Sequence, residues 1–118
     1  ENIIKLADKL EVRNCQCEST PSYLMNLEST LSAAEDRSRG NMFMRANDFK
    51  MAIRSYSKSL LTESDHATTL CNRAMAFLKN GDYTNCIKDA DKAIRLEPYY
   101  VKAYHRRGKA HLAKQNWR

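Results

Sequence analysis

A fixed period of some 20 to 50 residues decides the architecture of a chain before any motif does. Offset by 34 residues, this sequence lays Arg39 on Arg73 and Arg107, Gly40 on Ala74 and Gly108, and Phe43 on Phe77 and His111. The same offset pairs Asp48-Phe49 with Asp82-Tyr83 and Asn116-Trp117, Ala52-Ile53 with Cys86-Ile87, Lys58 with Lys92, and Ser64 with Pro98. The units run 33–66, 67–100 and 101–118, the third cut as its second half begins.

Each unit reads as two helices. In the first, Asp36, Gly40 and Phe43 share one face of a helix running to about residue 46, and the small Gly40 allows a second helix to approach closely. Asp48 is placed to cap the next helix, where Phe49, Ala52, Ile53, Tyr56 and Leu60 recur at helical spacing. The second unit repeats the plan with Leu70, Ala74 and Phe77, the turn Asn80-Gly81-Asp82, then Tyr83, Ile87, Ala90 and Ile94, and closes at Glu97-Pro98. The third opens with Tyr104 and Gly108 as packing positions. A lone helical hairpin cannot bury its apolar face, so the units must stack into an all-α solenoid, a right-handed array with a concave groove. Only three Gly and two Pro in 118 residues agree with helices rather than a turn-rich β fold.

The net charge is +6, and its distribution is uneven. Residues 1–33 carry three basic and five acidic side chains, 34–66 six and five, and 67–118 eleven and four. Such an excess suits anionic partners without choosing among nucleic acid, membrane surface and acidic peptide. The chain has no apolar run approaching the ~18 residues that span a bilayer, so no membrane partner is expected. Cys15, Cys17, Cys71 and Cys86 lack paired metal-ligand spacing and read as reduced thiols of the cytosol or nucleus. His66, His105 and His111 are scattered, and no catalytic, metal or phosphate-cradling signature appears. The reading is a non-enzyme with no cofactor. A first residue other than Met and the stop at Trp117-Arg118 suggest a piece of a longer chain.

These residues resemble the tetratricopeptide repeat (TPR) family, with its small, aromatic and proline positions at set places in a 34-residue unit. Gly40, Ala52, Tyr56, Ala74, Phe77, Ala93, Pro98, Tyr104 and Gly108 fill such places. The departures are Asp36 where a large apolar residue is usual, Ser59 where Ala is, and Ser64 where Pro is. The resemblance covers about 33–118, some two and a half repeats, and leaves 1–32 as an N-terminal helical and linker segment. Within it, Ile3, Ile4, Leu6, Leu10 and Val12 suggest one short amphipathic helix. Ser22 to Leu27 with Leu31 suggest a second that runs into the first repeat.

At 100° per residue, one side of each opening helix packs and the other faces the groove. The groove-facing residues are Ala34, Arg37, Ser38 and Asn41, then Thr68, Cys71, Asn72 and Met75, then Lys102, His105, Arg106 and Lys109. None of these twelve is acidic. Arg37 with Asn41, and Lys102 with Arg106, are spaced four apart on single faces, with Asn72 between them on the neighbouring unit. Cationic pairs bridged by an amide suit a chain end that presents two carboxylates close together.

Position by position, Arg37, Asn41, Asn72, Lys102 and Arg106 resemble the two-carboxylate clamp of TPR co-chaperones. That resemblance implies capture of the C-terminal Glu-Glu-Val-Asp of cytosolic Hsp90, Hsp70 or both, in the cytoplasm, with the nucleus as a second compartment open to it. Arg37 stands where Lys is more usual, exchanging a point charge for a planar fork. Cys71, Met75, Leu78, His105 and Lys109 are further candidate groove contacts. The wording NRAMAFLK and KAYHRRGKA is similar to TPR adaptors serving polymerase and ribonucleoprotein assembly, or to sperm-antigen and dynein-arm assembly factors. An alternative is a general TPR scaffold that binds an internal peptide or a protein surface. Nucleic acid is disfavoured, since the groove has few aromatics to stack bases. Arg39, Arg73 and Arg107 read as solvated or as partners in salt bridges between helices.

Overall fold

The computed structural model describes the backbone of residues 22–115 and the side chains from residue 30 onward. Five helices follow one another: α1 Ser22–Arg45, α2 Phe49–Thr62, α3 Ala67–Asn80, α4 Tyr83–Leu96 and α5 Val101–Gln115. The expected helix over Ile3 to Val12, Cys15, Cys17 and the Asn116-Trp117 start of a further helix lie outside the described residues. Helix α1 runs unbroken across residues 32 and 33, so the segment from Ser22 is continuous with the first repeat.

The 34-residue period reappears in the turns. Asn47 (φ 60°) and Gly81 (φ 86°) occupy the left-handed region at equivalent places, a conformation that only Gly and, at some cost, Asn adopt readily. Behind each, the amide of Asp48 bonds the carbonyl of Phe43, and that of Asp82 the carbonyl of Phe77, both at 2.9 Å. Each Asp then caps the following helix, accepting from Met51 N and Asn85 N at 3.3 Å. The cap of α3 is His66, whose Nδ1 accepts from Thr69 N at 3.2 Å.

Helix α1 packs on α2 and α3 on α4, forming two hairpins, while α5 packs on both α3 and α4. The opening helices α1, α3 and α5 adjoin in sequence, whereas no Cα of α2 comes within 8 Å of one of α4. An array joined along one layer and parted along the other curves toward the joined layer, so α1, α3 and α5 line its inner side.

The core follows the register. Ala52, Tyr56 and Ala76 form one buried cluster with Phe43, Met44 and Ile53 packed around it. Ala74, Cys86, Ala90 and Ala110 form a second, and Leu60, Leu70, Cys71, Ala93 and Ala103 a third. Alanine dominates because backbones that approach closely leave little room between them. The two polar departures from the family pattern are satisfied where they sit. Ser59 donates to the Ala33 carbonyl at 2.8 Å. Asp36, 4% exposed, accepts from Arg39 at 3.3 Å and lies 3.9 Å from Lys58.

The third unit corrects an expectation. Tyr104 is 41% exposed, its hydroxyl donating to the Pro98 carbonyl at 2.8 Å, and a Cβ on Gly108 would meet nothing within 4 Å. Their counterparts in the first unit face the second helix of their own hairpin, and no such helix faces α5 among the described residues. A Cβ on Gly40 would instead stand 2.5 Å from Tyr56 Cε1.

The two glycines therefore respond in opposite directions to one substitution. Gly40→Ala should destabilise by about 1–3 kcal/mol, since the buried Tyr56 ring must move. Gly108→Ala should stabilise by up to ~1 kcal/mol through helix propensity alone. Urea unfolding followed by circular dichroism reads both, and equal signs would contradict this packing.

Candidate functional site

The inner layer brings together residues from three helices. On α1, Arg37 reaches across to α3, its Nη1 lying 3.5 Å from Thr69 Oγ1. One turn on, Asn41 Oδ1 accepts from the Tyr56 hydroxyl at 2.5 Å and, at the long limit of 3.5 Å, from Asn72 Nδ2 of α3. With its carbonyl oxygen spent on these donors, Asn41 has its amide N–H groups left to offer. On α5, Lys102 and Arg106 both act electrostatically on Cys71, the neighbour of Asn72. Thus Tyr56, Asn41 and Asn72 form one hydrogen-bonded run, Arg37 bonds apart from it to Thr69, and Lys102 with Arg106 stand on the neighbouring α5.

Arg106 is only partly satisfied. Its Nη1 donates to the Lys102 carbonyl of its own helix at 3.1 Å, while its buried Nε has no partner. An unmet buried donor costs about 1–3 kcal/mol, which favours a side chain that turns toward an incoming acceptor. Lys102, His105 and Lys109 are exposed, and Met75 is half-buried.

One of the expected groove contacts belongs to the interior instead. Cys71 is 0% exposed, enclosed by Leu60, Leu70, Ala93 and Ala103, with Tyr100 against the cluster. The wheel assigned it to the groove because it considers one helix at a time, whereas here α5 closes over α3. Leu78 is half-buried, with one side packed on the cluster of Ala74, Cys86, Ala90 and Ala110.

A carboxylate that the wheel did not count also reaches this side. Glu63, the residue closing α2, places Oε2 3.5 Å from Arg37 Nη1. It follows a helix rather than lying on an opening one, so helical periodicity carries no signal for it. The position-matched arginines are held elsewhere. Arg73 grips Asp89 through Nε and Nη2 at 2.6 and 2.7 Å, and Arg107 reaches Asp91 at 2.9 Å. Both are bridges between helices, whereas Arg39 pairs within α1.

Comparison with known proteins fits this geometry. The tetratricopeptide-repeat family pattern matches residues 67–100, the span of α3, α4 and the turn between them. Mouse serine/threonine-protein phosphatase 5 is 31% identical over 104 residues, covering 87% of this chain and 21% of its own length. The chain therefore spans about a fifth of that relative. The solved second TPR of Spaghetti (RPAP3) bound to HSP90 peptide SRMEEVD is 33% identical with a TM-score of 0.69, covering 76% of this chain and 90% of that one. This chain belongs to the tetratricopeptide-repeat family. The second TPR domain of human RPAP3, solved in complex with HSP70 peptide SGPTIEEVD, is 32% identical with a TM-score of 0.68 over 77% of this chain and 73% of that one. The chain thus carries a helical-hairpin TPR fold, a protein-interaction architecture. Among the described residues no helix is long and apolar enough to cross a membrane.

The thiols of this TPR domain are shielded. Burial raises the Cys71 thiol, against lowering by Arg106, Lys102 and a bond from Tyr100. Burial, helped by Asp89, pushes Cys86 from 9.0 to about 11, its Sγ lying 3.7 Å from the Arg106 carbonyl. The unfolded chain releases this proton first, so its contribution is intact below pH 9 and is lost as pH rises toward 11. Roughly 2 kcal/mol should vanish over that window. Cys86→Ala, which repeats the Ala52 of the first unit, should flatten the fall in urea stability between pH 9 and 11, and an unchanged slope would remove Cys86 as its cause.

Proposed function

We propose that this domain is a co-chaperone docking module that captures the C-terminal Glu-Glu-Val-Asp tail of Hsp90, Hsp70 or both. Arg37, Asn41, Asn72, Lys102 and Arg106 would act as a carboxylate clamp. The observation that carries the reading is the character of the inner face. Five side chains on the inner-layer helices α1, α3 and α5 are rich in hydrogen-bond donors and include no carboxylate. Asn41 has its oxygen occupied, Arg106 has an unmet Nε, and Lys102 is free in solvent. Two similar solved domains carry HSP90 and HSP70 peptides ending in Glu-Glu-Val-Asp. In this reading the terminal carboxylate and the last aspartate take the Asn41–Asn72 and Lys102–Arg106 groups, and Arg37 exchanges part of its contact with Glu63 for the ligand. Such a partner places the module in the cytosol, with any further activity residing outside these residues.

A contact this short supports micromolar binding, about −8 kcal/mol, weakened by salt because exposed charges carry it. Lys102→Ala and Arg106→Ala should each weaken a Met-Glu-Glu-Val-Asp peptide by at least about tenfold, some 1.4 kcal/mol, with helicity unchanged. Calorimetry checks this, and unchanged affinity would sink the clamp. Amidating the peptide's terminus should abolish binding. Equal binding of the amide would instead identify a scaffold for internal peptides.

A further inference from the structure

Because the backbones of α2 and α4 stand apart, the outer side of the array is open between them. The opening is a cleft of about 570 Å³ lined by Arg54, Ser57, Lys58, Leu60 and Leu61 of α2, Leu70 and Arg73 of α3, and Lys92 of α4. Its chemistry has two parts. The floor is apolar: Leu70 and Leu60 are buried, and at the rim Leu61 is 86% exposed. The walls are cationic. Arg54 and Lys58 stand one turn apart on α2, a helix with no acidic residue, and Lys92 faces them from the register place that Lys58 holds in its own unit.

The charge here is largely uncompensated. Arg54 forms no hydrogen bond or ion pair with another described residue. Lys58 has only Asp36 at 3.9 Å, with its own side chain 67% exposed and that of Asp36 5%. Lys92 bonds the Ser64 carbonyl at 3.1 Å and lies 3.8 Å from the exposed Asp65. Arg73 is neutralised by Asp89, leaving Arg54, Lys58 and Lys92 as the groups available to a ligand. An apolar floor between uncompensated cations is complementary to a ligand that carries an apolar group flanked by negative charge.

We infer that this outer cleft is a second binding site, for an acidic protein segment that inserts a large apolar side chain against Leu60, Leu61 and Leu70 while its flanking carboxylates meet Arg54, Lys58 and Lys92. Nucleic acid fits less well, since no aromatic ring lines the cleft and an apolar floor gains nothing from phosphates. The site is separate from the inner groove, with no residue in common, so one module could hold two partners at once.

The test uses a fluorescein-labelled peptide of alternating Glu-Asp-Leu triplets with an amidated C-terminus, which has no terminal carboxylate, titrated against the whole 118-residue chain. Anisotropy should show saturable binding that weakens about tenfold or more in the Arg54→Glu/Lys58→Glu double variant, and in Leu61→Ser. These side chains are exposed, so both variants should keep native circular dichroism. Excess free-acid Met-Glu-Glu-Val-Asp should not displace the probe, and a Gln-Asn-Leu version should bind weakly. The inference fails if no saturation appears up to about 1 mM, or if the charge-reversed variant binds as well as the parent. It fails equally if an oligothymidylate competes as strongly as the acidic peptide.

Discussion

Tyr56 is where the packing of this domain and the chemistry of its inner face meet. Its ring lies over the bare backbone of Gly40 and against Ala52 and Ala76, which fixes how closely α1 and α3 approach α2. Its hydroxyl emerges on the far side to hold Asn41 Oδ1. A Tyr buried this deeply needs a partner for its O–H, and burial raises its pKa against the lowering influence of Arg45. One side chain therefore sets the spacing of the helices and the orientation of the amide that faces the groove. Phe in its place would keep the first and release the second.

Electrostatics divides the basic residues by task. The three arginines that coincide under the 34-residue offset all find carboxylates, but by three routes: within α1 for Arg39, from α3 to α4 for Arg73, and from α5 back to α4 for Arg107. The Arg73–Asp89 fork is the most buried. Such a pair adds little net stability, yet removing one partner costs about 3–5 kcal/mol because the other is left buried and unpaired. Its value is register, tying α3 to α4 within one hairpin. The cations left over lie on the two faces of the array, where the net charge of the chain is felt.

The repeat, the helix pairs, both Asp caps and the turn at Gly81 were legible because each is a local event with a local signal. Asn47 obeys the same geometry as Gly81, and only the offset reveals it, since Asn is an ordinary residue elsewhere. What was not legible depends on a neighbouring unit. Thr69, Ala76, Ala103 and Ala110 are all 0% exposed because α3 and α5 press them against the preceding hairpin, whereas Met42, which coincides with Ala76 under the offset, is 61% exposed with no earlier repeat described beside it. Cys71 reads as a groove residue on a single helix for the same reason that those alanines carry no sign of burial. A helical wheel has one inside, and a helix in the middle of a stacked array has two. The five residues proposed as a clamp have a signal in helical spacing and in the family resemblance, while Glu63 on a connecting turn has neither.

The two faces also differ in how charge is arranged. On the inner side Asn41 and Asn72 orient one another and Arg37 pairs with Glu63, which in the proposed clamp suits one small group with a defined shape. On the outer side Arg54, Lys58 and Lys92 surround a leucine floor and are oriented by little except their own helices. Lysines on flexible stems pair with carboxylates at many distances but impose little geometry. In the two proposals, discrimination at the outer face comes from the apolar contact in the floor, and at the inner face from hydrogen-bond geometry. A ligand that matches charge alone would gain little at either, which is why the basic excess of this chain by itself does not describe what it binds.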